Sequence, residues 1–224
     1  MDIAELSLVH RRRPAASGVD GASTRPPLLL LLHGVGSNER SMARLAPAFD
    51  ARFDVLSVRS PIELGPDAYG WFHVTFTANG PVIDAGEAQA AWEAVARFIA
   101  EAADAYGADP ERVFLCGFSQ GGIMSLAAML TAPALVAGAA MMSGRLLPEV
   151  LPFIASTEAL RDKPVLIVHG TADTKLGIAF ARNAREQLSE LPLALSYHEL
   201  LMGHQVTAAG VELVSNWLTA RLDA

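Results

Sequence analysis

Apolar runs and polar breaks alternate along the 224-residue chain with two different periods. Leu28 to His33 opens with five consecutive leucines, as expected of a strand buried on both faces of a parallel sheet. Phe53 to Val58, Arg112 to Cys116, Val136 to Met142, Pro164 to His169 and Leu193 to Leu200 read as further strands. Between them lie helix candidates at Asn38 to Phe49, Asp84 to Tyr106, Ser119 to Thr131, Leu176 to Leu191 and Thr207 to Leu222. The longest begins with Asp84 and Glu87 at the spacing of a capping box and is followed by Gly107. Ile3 to Val9 alternates and predicts a first, edge-type strand. Arg11 to Pro27 reads as a loop rich in Pro, Gly and Ser, with room for a short strand.

Strand and helix alternate almost throughout. The pattern predicts an α/β fold, a mostly parallel central sheet with helices on both faces. No internal repeat or linker divides the sequence, so one domain over residues 1–224 is expected. Two segments stay irregular, 60–83 and 143–163. Both follow strands and should lie above the carboxyl edge of the sheet, where open α/β folds bind ligands.

Composition narrows the function. Half of the residues are hydrophobic, which excludes global disorder. The net charge is -7, and Lys163 and Lys175 are the only lysines among 17 basic residues. An acidic chain without a basic cluster is a poor nucleic-acid binder. The one basic run, Arg11 to Arg13, reads as a solvated turn. Cys116 is the only cysteine, which excludes an intrachain disulfide and fits a buried, inert thiol in a reducing compartment. Met1 to His10 has no apolar core of a signal peptide, and five leucines fall far short of the roughly 20 residues that span a bilayer. The expectation is a soluble, cytoplasmic protein without stable membrane insertion; a homodimer is left open.

The sharpest chemical signal is Gly117-Phe118-Ser119-Gln120-Gly121, between an apolar strand and a helix. A serine hydroxyl becomes a useful nucleophile when a strained turn thrusts it out of the fold and a base takes its proton. Gly117 and Gly121 flank Ser119 where strand and helix come too close for a side chain. An ordinary glycine-rich turn is the alternative. The base must come from six histidines. His10 lies far from the expected edge. His169 and His198 fall inside strands, and His73 sits in an irregular segment within reach of substrate. His204 follows a strand and precedes the last helix, where it would overhang the sheet edge. For the orienting acid, Asp173 follows the Pro164 to His169 strand, in the order Ser, Asp, His. The competing role of Asp173 is a turn or cap residue. The backbone N–H of Gln120, at a helix start, and that of Val35, in His33-Gly34-Val35-Gly36, are candidate oxyanion donors. His33 reads as a loop-structuring residue.

These segments, with Trp71-Phe72, Val168-His169-Gly170-Thr171-Ala172-Asp173 and Met202-Gly203-His204, carry a resemblance spanning residues 32–204. The chain resembles the phospholipase/carboxylesterase family of α/β-hydrolases, which includes acyl-protein thioesterases and small bacterial carboxylesterases. That resemblance implies the α/β-hydrolase fold, a triad of Ser119, Asp173 and His204, and an oxyanion hole from Val35 and Gln120. It also implies Trp71 and Phe72 near the acyl pocket, with anchoring of their loop as the alternative. It implies a small-molecule ester as substrate, with no metal or cofactor. His73-Val74-Thr75-Phe76-Thr77 departs from the eukaryotic thioesterases and favours small or medium acyl esters. A lysophospholipase or acyl-protein thioesterase is the alternative activity. A non-catalytic binding protein on a hydrolase scaffold is the alternative of another class.

Overall fold

The computed structural model describes residues 4–16, 25–77 and 80–223. In chain order the strands are β1 (His10–Arg13), β2 (Leu28–Leu32), β3 (Asp54–Val58), β4 (Ile62–Gly65), β5 (Ala68–Gly70), β6 (Val74–Thr77) and β7 (Gly80–Ile83), then β8 (Val113–Phe118), β9 (Gly138–Met142), β10 (Pro164–Gly170) and β11 (Ala194–Leu200). The helices are α1 (Glu39–Ala43), α2 (Ala85–Ala105), α3 (Gln120–Thr131), α4 (Thr157–Leu160), α5 (Ile178–Ser189) and α6 (Ala208–Leu222). Seven strands form the main sheet in the order β1-β3-β2-β8-β9-β10-β11. All neighbours are parallel except β1, which runs antiparallel to β3. The mostly parallel sheet expected from the alternation is present.

Pleating explains the leucine run. Leu28, Leu30 and Leu32 face one apolar layer, with side chains of α2, α3 and α5. Leu29 and Leu31 face the other, with Met42 of α1 and Val211, Val214, Trp217 and Leu218 of α6. All five leucines are fully buried. Helix α3 is buried from Gln120 to Leu130, as its apolar composition on every side requires.

The N-terminal strand is displaced from its expected position. Residues 4–9 form no strand, and Ile3 lies outside the described residues. The edge strand is the basic run itself. Arg12 makes a bidentate pair with Asp54, whose side chain is buried, and stacks 4.1 Å from the Tyr106 ring centroid. Arg13 donates to the Asp50 carbonyl. Arg11 to Arg13 is therefore a charged sheet edge, not a solvated turn. Edge strands tolerate charge, and it discourages pairing with other chains.

Asn38 to Phe49 also divides, into α1 and a short 3-10 turn at Ala46–Ala48. The capping box of α2 is half made. Asp84 accepts from Glu87 N–H, but the Glu87 carboxylate accepts from the His73 backbone N–H and lies 2.8 Å from its Nδ1. The described residues of segment 60–83 form two antiparallel strand pairs, β4–β5 and β6–β7, neither joined to the main sheet. Segment 143–163 holds a 3-10 stretch at Pro148–Phe153 and α4.

Candidate active site

Three strands deliver three side chains to one point. Ser119 follows β8 with φ 55° and ψ -119°, a left-handed conformation that non-glycine residues seldom adopt. Two glycines permit this turn. A Cβ on Gly117 would lie 2.1 Å from the Gly121 carbonyl oxygen, and one on Gly121 would lie 2.1 Å from that of Leu32. The second contact involves a neighbouring strand, so Gly121 lets α3 settle onto β2 as well as β8. Ser119 is less exposed than a nucleophile thrust clear of the fold would be: only 7% of its surface is accessible. The reason is a roof, described below.

His204 lies in the loop after β11. The exits of β10 and β11 are laced together, Thr171 N–H to Leu200 O at 2.8 Å and Ala172 N–H to Met202 O at 3.1 Å. This brings the loops carrying Asp173 and His204 side by side. His204 Nδ1 is 2.7 Å from Asp173 Oδ2, and His204 Nε2 is 3.0 Å from Ser119 Oγ. An ionised carboxylate only accepts, so in the neutral imidazole Nδ1 carries the proton and Nε2 accepts from the serine O–H. Asp173 divides its oxygens. Oδ1 accepts from the backbone N–H groups of Lys175 and Leu176, both at 2.9 Å, while Oδ2 meets His204. The turn-residue role and the imidazole-orienting role therefore coexist in one side chain. The arrangement can move a proton from the Ser119 hydroxyl to His204 while Asp173 steadies the imidazolium.

Two further histidines support this geometry from within. His169, on β10, is fully buried. Its Nε2 donates to Leu176 O at 2.7 Å and lies 3.4 Å from Asp173 Oδ2. Burial holds its pKa below the usual imidazole range. His33 is also buried and its pKa lowered, with burial the main cause. Its Nε2 accepts from Ser60 N–H at 3.0 Å, so Nδ1 carries the proton and donates to Gly34 O. His33 thus fixes the turn bearing Val35, in keeping with its loop-structuring reading. A Cβ built on Gly34 would lie 3.2 Å from Ser119 Cβ, so this turn abuts the serine. Val35 N–H has no hydrogen-bond acceptor among the described residues. Gln120 N–H is the first of α3 and has no intrahelical acceptor.

Ser119, Gln120 and Val35 share one narrow cleft with about 20 Å³ of free space, room for roughly one water. Phe72, Val74, Pro81, Ile83, Ile123 and Leu176 supply its apolar lining. Three of these come from the β6–β7 hairpin, the roof over the serine. Phe72 stands where a substrate-contacting residue is expected. Trp71, expected beside it, is not among the lining residues. It is fully buried, and its Nε1–H donates to His33 O at 2.9 Å. His73, read as within reach of substrate, is paired with Glu87 instead.

Sequence reasoning overlooked the Gln120 side chain. Its Oε1 accepts from Trp71 N–H at 3.0 Å and its Nε2 donates to Phe72 O at 2.8 Å. The carboxamide pins the segment 71–72 to the start of α3. Arg145 was overlooked too, although it follows β9 at the same carboxyl edge and lines the cleft. Among the described residues no group of three or more His, Cys, Asp or Glu could hold a metal ion, and no helix is long and apolar enough to cross a membrane.

A probable carboxylesterase of Oryza sativa subsp. japonica is 28% identical over 235 residues, covering 97% of this chain and 85% of the relative. Acyl-protein thioesterase 1 of Kluyveromyces lactis is 30% identical over 172 residues, covering 71% and 75%. The crystal structure of esterase PE8 has the same fold, with a TM-score of 0.82 at 24% identity, covering 96% of this chain and 99% of that one. Residues 19–222 match the phospholipase/carboxylesterase family. The chain belongs to the phospholipase/carboxylesterase family, serine hydrolases built on the α/β-hydrolase fold.

Proposed function

We propose that this protein is a carboxylesterase that cleaves esters of small to medium acyl chains through an acyl-enzyme on Ser119. The observation that carries this reading is the unbroken line from Ser119 Oγ to His204 Nε2 and from His204 Nδ1 to Asp173, at 3.0 and 2.7 Å. Ser119 Oγ attacks the ester carbonyl as His204 takes its proton. The tetrahedral oxyanion accepts hydrogen bonds from Val35 N–H and Gln120 N–H, aided by the positive end of α3. Collapse expels the alcohol, which receives the proton from His204. Water, deprotonated by His204, then attacks the acyl-enzyme and releases the acid.

The narrow apolar cleft supports short acyl groups, and Phe72, Val74 and Ile83 are the side chains that would meet them. The thioesterase relative favours a second reading, cleavage of acyl thioesters. The same nucleophile serves both. Turnover of p-nitrophenyl esters of increasing length, with a thioester in parallel, separates them. Fluorophosphonate labelling tests the nucleophile: wild type should be modified at Ser119, and Ser119→Ala should neither label nor turn over. Losing the nucleophile of such a unit costs about 10⁶ in turnover. Folded Ser119→Ala retaining more than about a tenth of the rate would reject the assignment.

A further inference from the structure

The cleft beside Ser119 is apolar except for one charge. Arg145, three residues past the end of β9, is the one ionisable side chain among the described residues that line it. The other polar side chains there are already engaged: Ser119 with His204, and the Gln120 carboxamide with Trp71 and Phe72. Arg145 is half-buried, and burial lowers its pKa. Among the described residues its guanidinium makes no hydrogen bond and no ion pair. Its one close partner is the Phe180 ring, 5.6 Å away. That ring also lies under the hairpin roof, since a Cβ on Gly80 would come within 4.0 Å of it. The Phe180 ring thus neighbours both the guanidinium and the hairpin, and Arg145 itself lines the cleft. The Glu149 carboxylate attracts Arg145 but forms no ion pair with it. The Arg145 nitrogens are not among the buried atoms left without a partner, so the guanidinium keeps contact with solvent and its N–H donors are free for a ligand at the rim of the cleft.

We infer that Arg145 is an anion subsite, and that the preferred esters carry a carboxylate that reaches it while the ester carbonyl lies at Ser119. The guanidinium fork matches a carboxylate in two parallel hydrogen bonds. The apolar walls lower the local dielectric and strengthen that pairing. On a chain of net charge -7, such selection has to come from a local cation. The carboxylate could sit in the acyl half or in the alcohol half of the ester, and the chemistry of recognition is the same. This inference rests on the hydrolase reading above.

The test compares kcat/KM for charged esters and neutral isosteres, in wild type and Arg145→Gln. Monoethyl adipate against ethyl hexanoate puts the carboxylate in the acyl half. 4-Acetoxybutyrate against butyl acetate puts it in the alcohol half. Wild type should prefer the charged member of one pair by about tenfold or more. Arg145→Gln should lose that preference, its rate falling about tenfold further on the charged ester than on its neutral isostere, while Arg145→Lys should retain part of it. Calorimetry on the Ser119→Ala protein reads the subsite without turnover: the favoured charged ester should bind, and adding Arg145→Gln should abolish binding. Equal or better turnover of both neutral esters by wild type would overturn the inference, as would an Arg145→Gln loss shared by charged and neutral esters. Binding that depends on Arg145 in a wild-type protein that turns over no ester would instead overturn the hydrolase reading and leave the subsite standing.

Discussion

Replacing Gln120 by Met tests how the cleft wall is held. Met has similar length and is apolar, so no large cavity forms and the backbone N–H of residue 120 is retained. What disappears is a pair of hydrogen bonds, from Trp71 N–H at 3.0 Å and to Phe72 O at 2.8 Å. Trp71 is 0% and Phe72 1% exposed, so water cannot readily replace the carboxamide. A buried polar group left without a partner costs about 1–3 kcal/mol, so the two together cost about 2–6 kcal/mol. A typical domain has only about 5–15 kcal/mol in total. With a urea m-value of about 3 kcal/mol/M, the midpoint should fall by roughly 0.7 M or more at unchanged m. Urea unfolding followed by tryptophan fluorescence and by circular dichroism measures this. A midpoint within about 0.2 M of wild type would refute the reasoning, because the segment would then be held by its packing alone.

Four more outcomes follow from the geometry. Phe72→Ala should shift the preferred acyl chain to longer esters, each added methylene gaining up to about 0.8 kcal/mol of burial, whereas Trp71→Phe should lower stability and leave the chain-length profile unchanged; a p-nitrophenyl ester series resolves the two. Asp173→Asn should fall severely in kcat, and its loss should not add to that of Ser119→Ala, because the three side chains act as a unit. The Arg59 guanidinium, bonded to both oxygens of buried Glu39, holds that carboxyl below the usual range; its stabilisation is complete above the unfolded-state pKa, about 4.3, and is lost as pH falls through the lower folded-state value, so Glu39→Gln should flatten the acid limb of stability against pH. Burial pushes the Cys116 thiol up to about 12, so a disulfide reagent should modify it only after unfolding.

Much of the candidate site was legible because the proposed reacting groups sit at the ends of strands. Ser119 and Asp173 each follow an apolar run, His204 follows the mixed edge strand β11, and a parallel sheet collects such ends at one edge. The leucine run could be read for the same reason, since burial on both faces removes the polar alternation. The edge strand was misread because Arg11 to Arg13 carries no apolar alternation, and its stability comes from Asp54 and Tyr106, distant in sequence. The half-made capping box of α2 has a similar cause. Glu87 found a partner in His73, which only the folded segment 60–83 brings near. The Gln120 clamp and the buried margin around Arg145 depend on how that segment and residue 180 meet the cleft. No local pattern encodes such contacts.

The β6–β7 hairpin has a consequence for how this active site can change. Its strands pair only with each other, yet Val74, Pro81 and Ile83 line the cleft. The proposed triad, Ser119, Asp173 and His204, hangs from β8, β10 and β11, which belong to a different sheet. Part of the cleft lining is thus written in a stretch of chain separate from the strands that carry Ser119, Asp173 and His204. A graft of residues 74–83 from another sequence could retune which acyl groups enter while leaving the proton relay untouched. In such a scaffold, new specificities are within reach of short exchanges and need no rebuilding of the sheet.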